Sequence, residues 1–235
     1  MKDSDLDVYV NFFKKELQAV AQLEDRLFRK ILIVTMIDSW SRAVYPDEVV
    51  HRKRFTDFVR NYSDWEDVER VNPCHLGQLL DGHGDEADSK LRVETQKIVA
   101  GRRRGKMVRV SKDPTYSDLE PLSNTGEVSL LKQSTHFSLF YLYRCHLVHE
   151  FRELGHGGKF GSETCEPFYH SRMGDDGDTW ELVYPLGFFT ELASNCLMNL
   201  RKSFLSSGGS PFESYSFGTP WRKRAFSRNE CKVLE

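Results

Sequence analysis

Residues 5–43 contain neither glycine nor proline, and their apolar side chains return every three to five positions: Val8, Phe12, Leu17, Val20, Leu23, Leu27, Ile31, Val34 and Ile37. That period matches a helix with one buried face and is foreign to a strand, whose faces alternate every second residue. The stretch reads as one long helix, or as two helices with a break, and Pro46 ends it. A chain that opens this way has to bury a long apolar stripe against further helices. Asp47 is placed to cap a following helix that carries Val50, Phe55, Phe58 and Val59.

Residues 61–84 carry a weaker pattern, with short turns and a one-turn helix near 76–80, and 86–100 reads as another helix. Residues 101–126 read as a loop, because Gly101, Gly105, Pro114, Pro121, Asn124 and Gly126 punctuate them, with a short strand at 107–110. Residues 127–154 form the second long helical pattern. Leu130, Leu131, Phe137, Leu139, Phe140, Leu142, Leu147, Val148 and Phe151 cover so much of its circumference that it belongs in the middle of the domain, with Gly155, Gly157 and Gly158 as its stop. Two strands, 166–171 and 180–185, flank Gly174-Asp175-Asp176-Gly177 and suggest a β-hairpin, and a last helix spans 188–205. The fold class is therefore mainly α: a bundle of about five helices with a small β-hairpin insertion near 166–185. Residues 1–209 read as one domain, and 210–235 as a C-terminal tail that packs on it or stays loose.

Composition narrows the function. Hydrophobic residues make up 39% and charged residues 29%, as in a soluble globular protein, and a net charge of −2 gives no sign of a globally basic nucleic-acid binder. No apolar run approaches the ~18 residues of a membrane span, so no membrane partner is expected. Met1-Lys2-Asp3-Ser4-Asp5 lacks the pattern of a secretory signal. The five cysteines, Cys74, Cys145, Cys165, Cys196 and Cys231, are scattered without a C-x-x-C pair, which fits free thiols in a reducing, cytoplasmic setting.

Polar residues crowd the end of the second long helix: Arg144, His146, His149, Glu150, Arg152, Glu153 and His156. The segment Tyr141-Leu-Tyr-Arg144-Cys-His-Leu-Val-His149-Glu-Phe-Arg152 resembles the R-x(4–6)-H motif of the HEPN superfamily (higher eukaryote and prokaryote nucleotide-binding domains). The long first helix ending Ile37-Asp38-Ser39-Trp40-Ser41-Arg42 and the second helix with Arg54-Phe55-Thr56-Asp57-Phe58-Val59 extend the likeness over roughly residues 15–155. The resemblance implies a helical bundle, commonly a homodimer, with the Arg/His pairs of two protomers facing one cleft. It implies a metal-independent endoribonuclease needing no cofactor, of the kind found in toxin–antitoxin, phage-defence or RNA-processing systems, with RNA or a nucleotide as ligand and an antitoxin as partner. The alternative it leaves open is a non-catalytic nucleotide-binding or protein-interaction module on the same fold.

The residue types suit that chemistry. RNA cleavage by its own 2′-hydroxyl needs a proton acceptor and a proton donor, and a histidine titrates near the working pH. A guanidinium stabilises the negative charge gathering on phosphorus. By position, Arg144 holds the phosphate and His149 is the acid/base, with His146 and Glu150 in support. Five helical steps set Arg144 and His149 roughly 140° apart, so a common site requires the arginine to reach across. Arg102, Arg103, Arg104 and Lys106 form a basic loop that offers phosphate contacts, and Trp221-Arg222-Lys223-Arg224 is a similar run. Glu24, Asp25 and Asp38 either line the same cleft or form a solvated helix face. His146 and His149, with His156 or His170, are the competing metal candidates, although neither H-E-x-x-H nor H-x-x-E-H occurs. Cys145 reads as a core thiol or as a nucleophile beside two histidines.

Overall fold

The computed structural model describes residues 5–83, 89–103, 105–154, 164–174 and 177–214. Nine α-helices and a three-stranded antiparallel sheet lie among them. The mainly helical expectation holds, and the helix count exceeds the expected five.

The first helical stretch takes the two-helix form: α1, Asp5–Ala21, and α2, Arg26–Val44. The break needs no glycine, because Asp25 accepts from the Phe28 amide at 3.0 Å and starts a fresh helix. α2 is the bundle's centre post, with Val34, Ile37 and Trp40 fully buried. α3, His51–Tyr62, is capped by Val50 without a side-chain bond, so Asp47 does not serve as its cap. The expected single turn near 76–80 is a full helix, α4, Pro73–Gly82. Asn72 caps it by accepting from Cys74 and His75 amides, and Pro73 presets the first turn. α5 is Lys90–Ala100, capped by Ser89.

Residues 101–126 are built rather than open. They hold strand β1, Val108–Arg109, the short helix α6, Tyr116–Leu119, and two 3-10 turns. The second long helical pattern is also broken, into α7, Val128–Gln133, and α8, His136–Glu150. The break is set from afar. Val71 bridges Thr135, and the His136 amide donates to the Arg70 carbonyl at 2.9 Å, so a distant segment takes the backbone groups a continuous helix would have used. Within α8, Phe140, Tyr143 and Leu147 share the face buried against the bundle, as the pattern's broad apolar surface predicts.

Strands β2, Phe168–Gly174, and β3, Gly177–Val183, form the expected hairpin, closing at the Gly174–Gly177 pair, and β1 adds a third strand on β2 through Val108–Tyr169 and Arg109–Phe168. α9, Leu186–Ser207, packs along α2 and ends at Gly208 with φ of 72°. In the tail, Pro211–Ser214 docks Phe212 against Tyr9, with ring centroids 5.4 Å apart.

Buried apolar residues fall into two clusters. The larger joins α1, α2, α3, α8 and α9. The smaller joins Val71, Leu76, Leu80, Leu91, Leu119, Leu130 and Leu131 of α4–α7 and their connections. No helix among the described residues is long and apolar enough to cross a membrane.

Candidate active site

α8 lies between α2 and α3, and its buried stripe fixes which way Arg144 points. The guanidinium lies on the flank of that stripe and meets Asp38 of α2, with Nη2 2.8 Å from Oδ2. Asp38 is therefore half-buried and paired with Arg144, while Asp25 serves as a cap and Glu24 is exposed. The reach predicted to be necessary is made: Arg144 Nη1 comes within 3.4 Å of His149 Nε2. The carboxylate is what holds the arginine across the helix surface, since its other nitrogen is already committed there.

A second arginine shares that carboxylate. Arg54 of α3 is buried, with Nη2 3.9 Å from Asp38 Oδ1 and 2.9 Å from His51 Nδ1. Two guanidiniums facing one carboxylate leave a net positive charge on largely buried side chains, where solvent screening is reduced, which suits an anionic ligand. Sequence reasoning missed Arg54 and His51 as part of the site. The available signal was an arginine directly beside the apolar stripe of Phe55, Phe58 and Val59. At this cluster, the buried Arg54 Nε and Arg144 Nε have no acceptor among the described residues.

His146 and Glu150 form a separate group. His146 Nδ1 is 2.8 Å from Glu150 Oε1, and Arg152 bridges both, with Nη2 3.2 Å from His146 Nδ1 and Nε 2.6 Å from Glu150 Oε2. The hydrogen bond from His146 holds the Glu150 carboxyl below its ordinary range. Cys145 is half-buried, and Tyr141 beside it keeps its hydroxyl protonated through burial and through the neighbouring thiol.

α8 stops before the glycines expected to end it. Phe151 takes φ of 52° and its amide donates to the His146 carbonyl, while Gly155, Gly157, Gly158 and His156 lie outside the described residues. The end is pinned by a buried lysine. Lys30 Nζ donates to Glu153 Oε2 and to the Tyr184 carbonyl, both at 2.7 Å, and the Tyr143 hydroxyl donates to the same Glu153 oxygen at 2.8 Å. Burial lowers the Lys30 pKa against the opposing pull of Glu153. This contact fixes the turn that carries His149.

The basic loop divides. Arg103 and Lys106 are exposed, Arg104 lies outside the described residues, and so does the run 221–224. Arg102 is enclosed: its side chain is only 5% exposed, and its guanidinium pairs with Asp113, donates to Cys74 Sγ at 3.2 Å and lies 4.0 Å from the Tyr169 ring centroid. A solvated loop would have left it free, but burial of Asp113 demands a cation. Asp113 also accepts from the Tyr169 hydroxyl and lies 2.9 Å from His136 Nε2. This His–Asp–Tyr grouping has the residue types of a proton relay, yet it is sealed from solvent and joins the sheet to the helices. Burial pushes the Cys74 thiol up to about 11, so it stays protonated.

Among the described residues, no group of three or more His, Cys, Asp or Glu side chains is placed to hold a metal ion. The geometry offers a cluster of two arginines around Asp38 with the exposed His149 beside it, built from α2, α3 and α8. No family model matches this chain, and no curated protein or solved structure is significantly similar to it.

Proposed function

We propose that this protein is a metal-independent endoribonuclease of the HEPN type, with Arg144 and His149 as its essential pair. The observation that carries the reading is the approach of Arg144 Nη1 to His149 Nε2 at 3.4 Å, held by Asp38. A neutral His149 takes the proton of the 2′-hydroxyl as that oxygen attacks phosphorus. The bond to the 5′-oxygen breaks, and the proton ends on that leaving oxygen, giving a 2′,3′-cyclic phosphate and a free 5′-hydroxyl. Arg144 neutralises the charge on the phosphorane oxygens. The same reading takes the active form as a homodimer that pairs two such clefts, acting in a toxin–antitoxin or phage-defence system with an antitoxin partner.

A second reading draws on one observation. The Arg144 side chain is 13% exposed and tied to Asp38, which suits a structural arginine in a non-catalytic nucleotide-binding or protein-interaction module. Cleavage of a labelled RNA pool in EDTA by wild type, Arg144→Ala and His149→Ala separates the two. The nuclease reading expects wild type to cut and each variant to be slower by about 100-fold or more, the lower bound of the acid–base and electrostatic range. Inert wild type, or variants that cut as well as wild type, would leave the binding module as the function.

A further inference from the structure

A groove of about 480 Å³ runs along the outer flank of α3, between that helix and the segment joining α7 to α8. Its α3 wall carries Arg52, Thr56 and Arg60, one helical stripe, and its far wall carries Lys132 and Phe137. From Arg52 to Arg60 the wall is roughly 12 Å long at 1.5 Å per residue.

The groove and the candidate active site share both helices. Arg60 sits over Phe137, 4.9 Å from its centroid. Phe55 meets Phe140 and Tyr141, and Arg54 reaches Asp38 beside Arg144. Reading down α3 therefore means reading up α8, an antiparallel register in which the groove residue Phe137 precedes Arg144 on the same helix. Phe137 and Arg144 are seven residues apart on α8, about 20° in azimuth and about 10 Å in rise.

The chemistry of the lining selects the occupant. Arg52 and Lys132 are exposed cations with no ion pair among the described residues, one on each wall. The Arg60 guanidinium, ion-paired with Glu69 of the same groove, lies over the Phe137 ring, and Tyr116 adds a second ring, so the unpaired positive charge of the groove is that of Arg52 and Lys132. Cations at the rim over aromatic surface below is the arrangement that binds a single strand, with phosphates outside and bases on the rings. A duplex would hide its base faces, and an acidic peptide would leave the rings unused.

We propose that this groove seats a single-stranded RNA segment of about four stacked nucleotides, at ~3.4 Å each, flanking the bond presented to Arg144 and His149. The proposal rests on the ribonuclease reading for its direction, but its test reads binding alone. A labelled 2′-O-methyl 12-mer lacks the attacking hydroxyl and cannot be cut by that route. Its binding is followed by fluorescence anisotropy at several salt concentrations, for wild type, for Arg52→Glu/Lys132→Glu, and for a control with the same charge change, Lys15→Glu/Lys202→Glu. The groove pair is expected to weaken binding about tenfold or more and to lower the log–log salt slope by about 1.4, two phosphates at ~0.7 each. The control is expected to keep wild-type affinity within about twofold. An oligonucleotide that does not bind wild type, a groove pair that binds normally, or a control that loses as much would each overturn the proposal. If the groove behaves as expected while no RNA is cut in EDTA, the groove stands and the catalytic reading falls. If RNA is cut but the groove pair binds normally, the reverse holds.

Discussion

Replacing Asp113 by alanine strands a buried cation. Arg102 is 5% exposed in its side chain and Asp113 is 1% exposed, so neither charge has water to fall back on. The carboxylate is also the acceptor for the Tyr169 hydroxyl and the partner of His136 Nε2. Removing one member of a buried pair costs about 3–5 kcal/mol, mostly because the other charge is left uncompensated. For a chain of this length about 2–4 °C of Tm accompanies each kcal/mol, so Asp113→Ala is expected to melt roughly 10 °C below wild type. Urea unfolding followed by circular dichroism measures the free energy directly, and the slope against urea should stay constant because the same surface is exposed. The double variant Arg102→Met/Asp113→Ala removes the stranded charge and should recover part of the loss. A single variant within ~1 kcal/mol of wild type, or a double variant no more stable than the single, would refute the argument from an uncompensated charge.

Lys30→Met removes the cation that ties Glu153 and the Tyr184 carbonyl to α2. Because Glu153 is 28% exposed, the expected loss is about 2–3 kcal/mol, below the fully buried figure. Burial lowers the folded-state pKa of Lys30 below its ordinary 10.5, so between those values the unfolded chain binds more protons. Wild-type stability contributed by this group therefore rises with pH through that alkaline window, and a urea series across it should show no such rise in the methionine variant. Phe151→Gly acts in the opposite direction on the fold. The residue sits at φ of 52° with its ring 61% exposed, so glycine relieves ~1–2 kcal/mol of left-handed strain and gives back part of it as unfolded-state entropy. A net gain near 0.5–1 kcal/mol, seen as a Tm rise of about 2 °C, is expected, and a lower Tm would mean that the ring's packing outweighs the strain.

The helical class and the hairpin were legible because each is written in a local period: three to five for α1, α2 and α9, and paired runs around Gly174 and Gly177 for β2 and β3. What stayed hidden was set by partners distant in sequence. The division between α7 and α8 follows from Val71 and Arg70 taking the backbone of Thr135 and His136, more than sixty positions away. Asn72-Pro73 was a readable start for α4, but with Gly77 and Gly82 inside it the helix has a weak propensity and depends on burial of Leu76 and Leu80. At the candidate site, Arg144 and His149 came from the resemblance of the R-x(4)-H segment, and helix geometry alone put them on different faces. The residue that reconciles them, Asp38, belongs to another helix, 106 positions earlier. The enclosure of Arg102 stayed hidden for the same reason: nothing near it in sequence announces that Asp113 and Tyr169 will surround it.

The separation of the apolar residues into two clusters has a consequence for how the molecule breathes. Seven buried residues hold α4–α7 together, against twenty-six in the bundle that carries Arg54, Arg144 and His149. A smaller buried area means a cheaper sub-global opening, so the amides of α4 and α5 exchange with solvent at a lower opening free energy than those of α2, α8 and α9. Arg102, following α5, and Cys74, at the start of α4, meet beside Asp113, and the Val71–Thr135 bridge and the His136–Asp113 contact join this layer to the bundle as well. The arginines around Asp38 thus sit on the layer with the larger buried area, whose local opening costs more than that of α4 and α5.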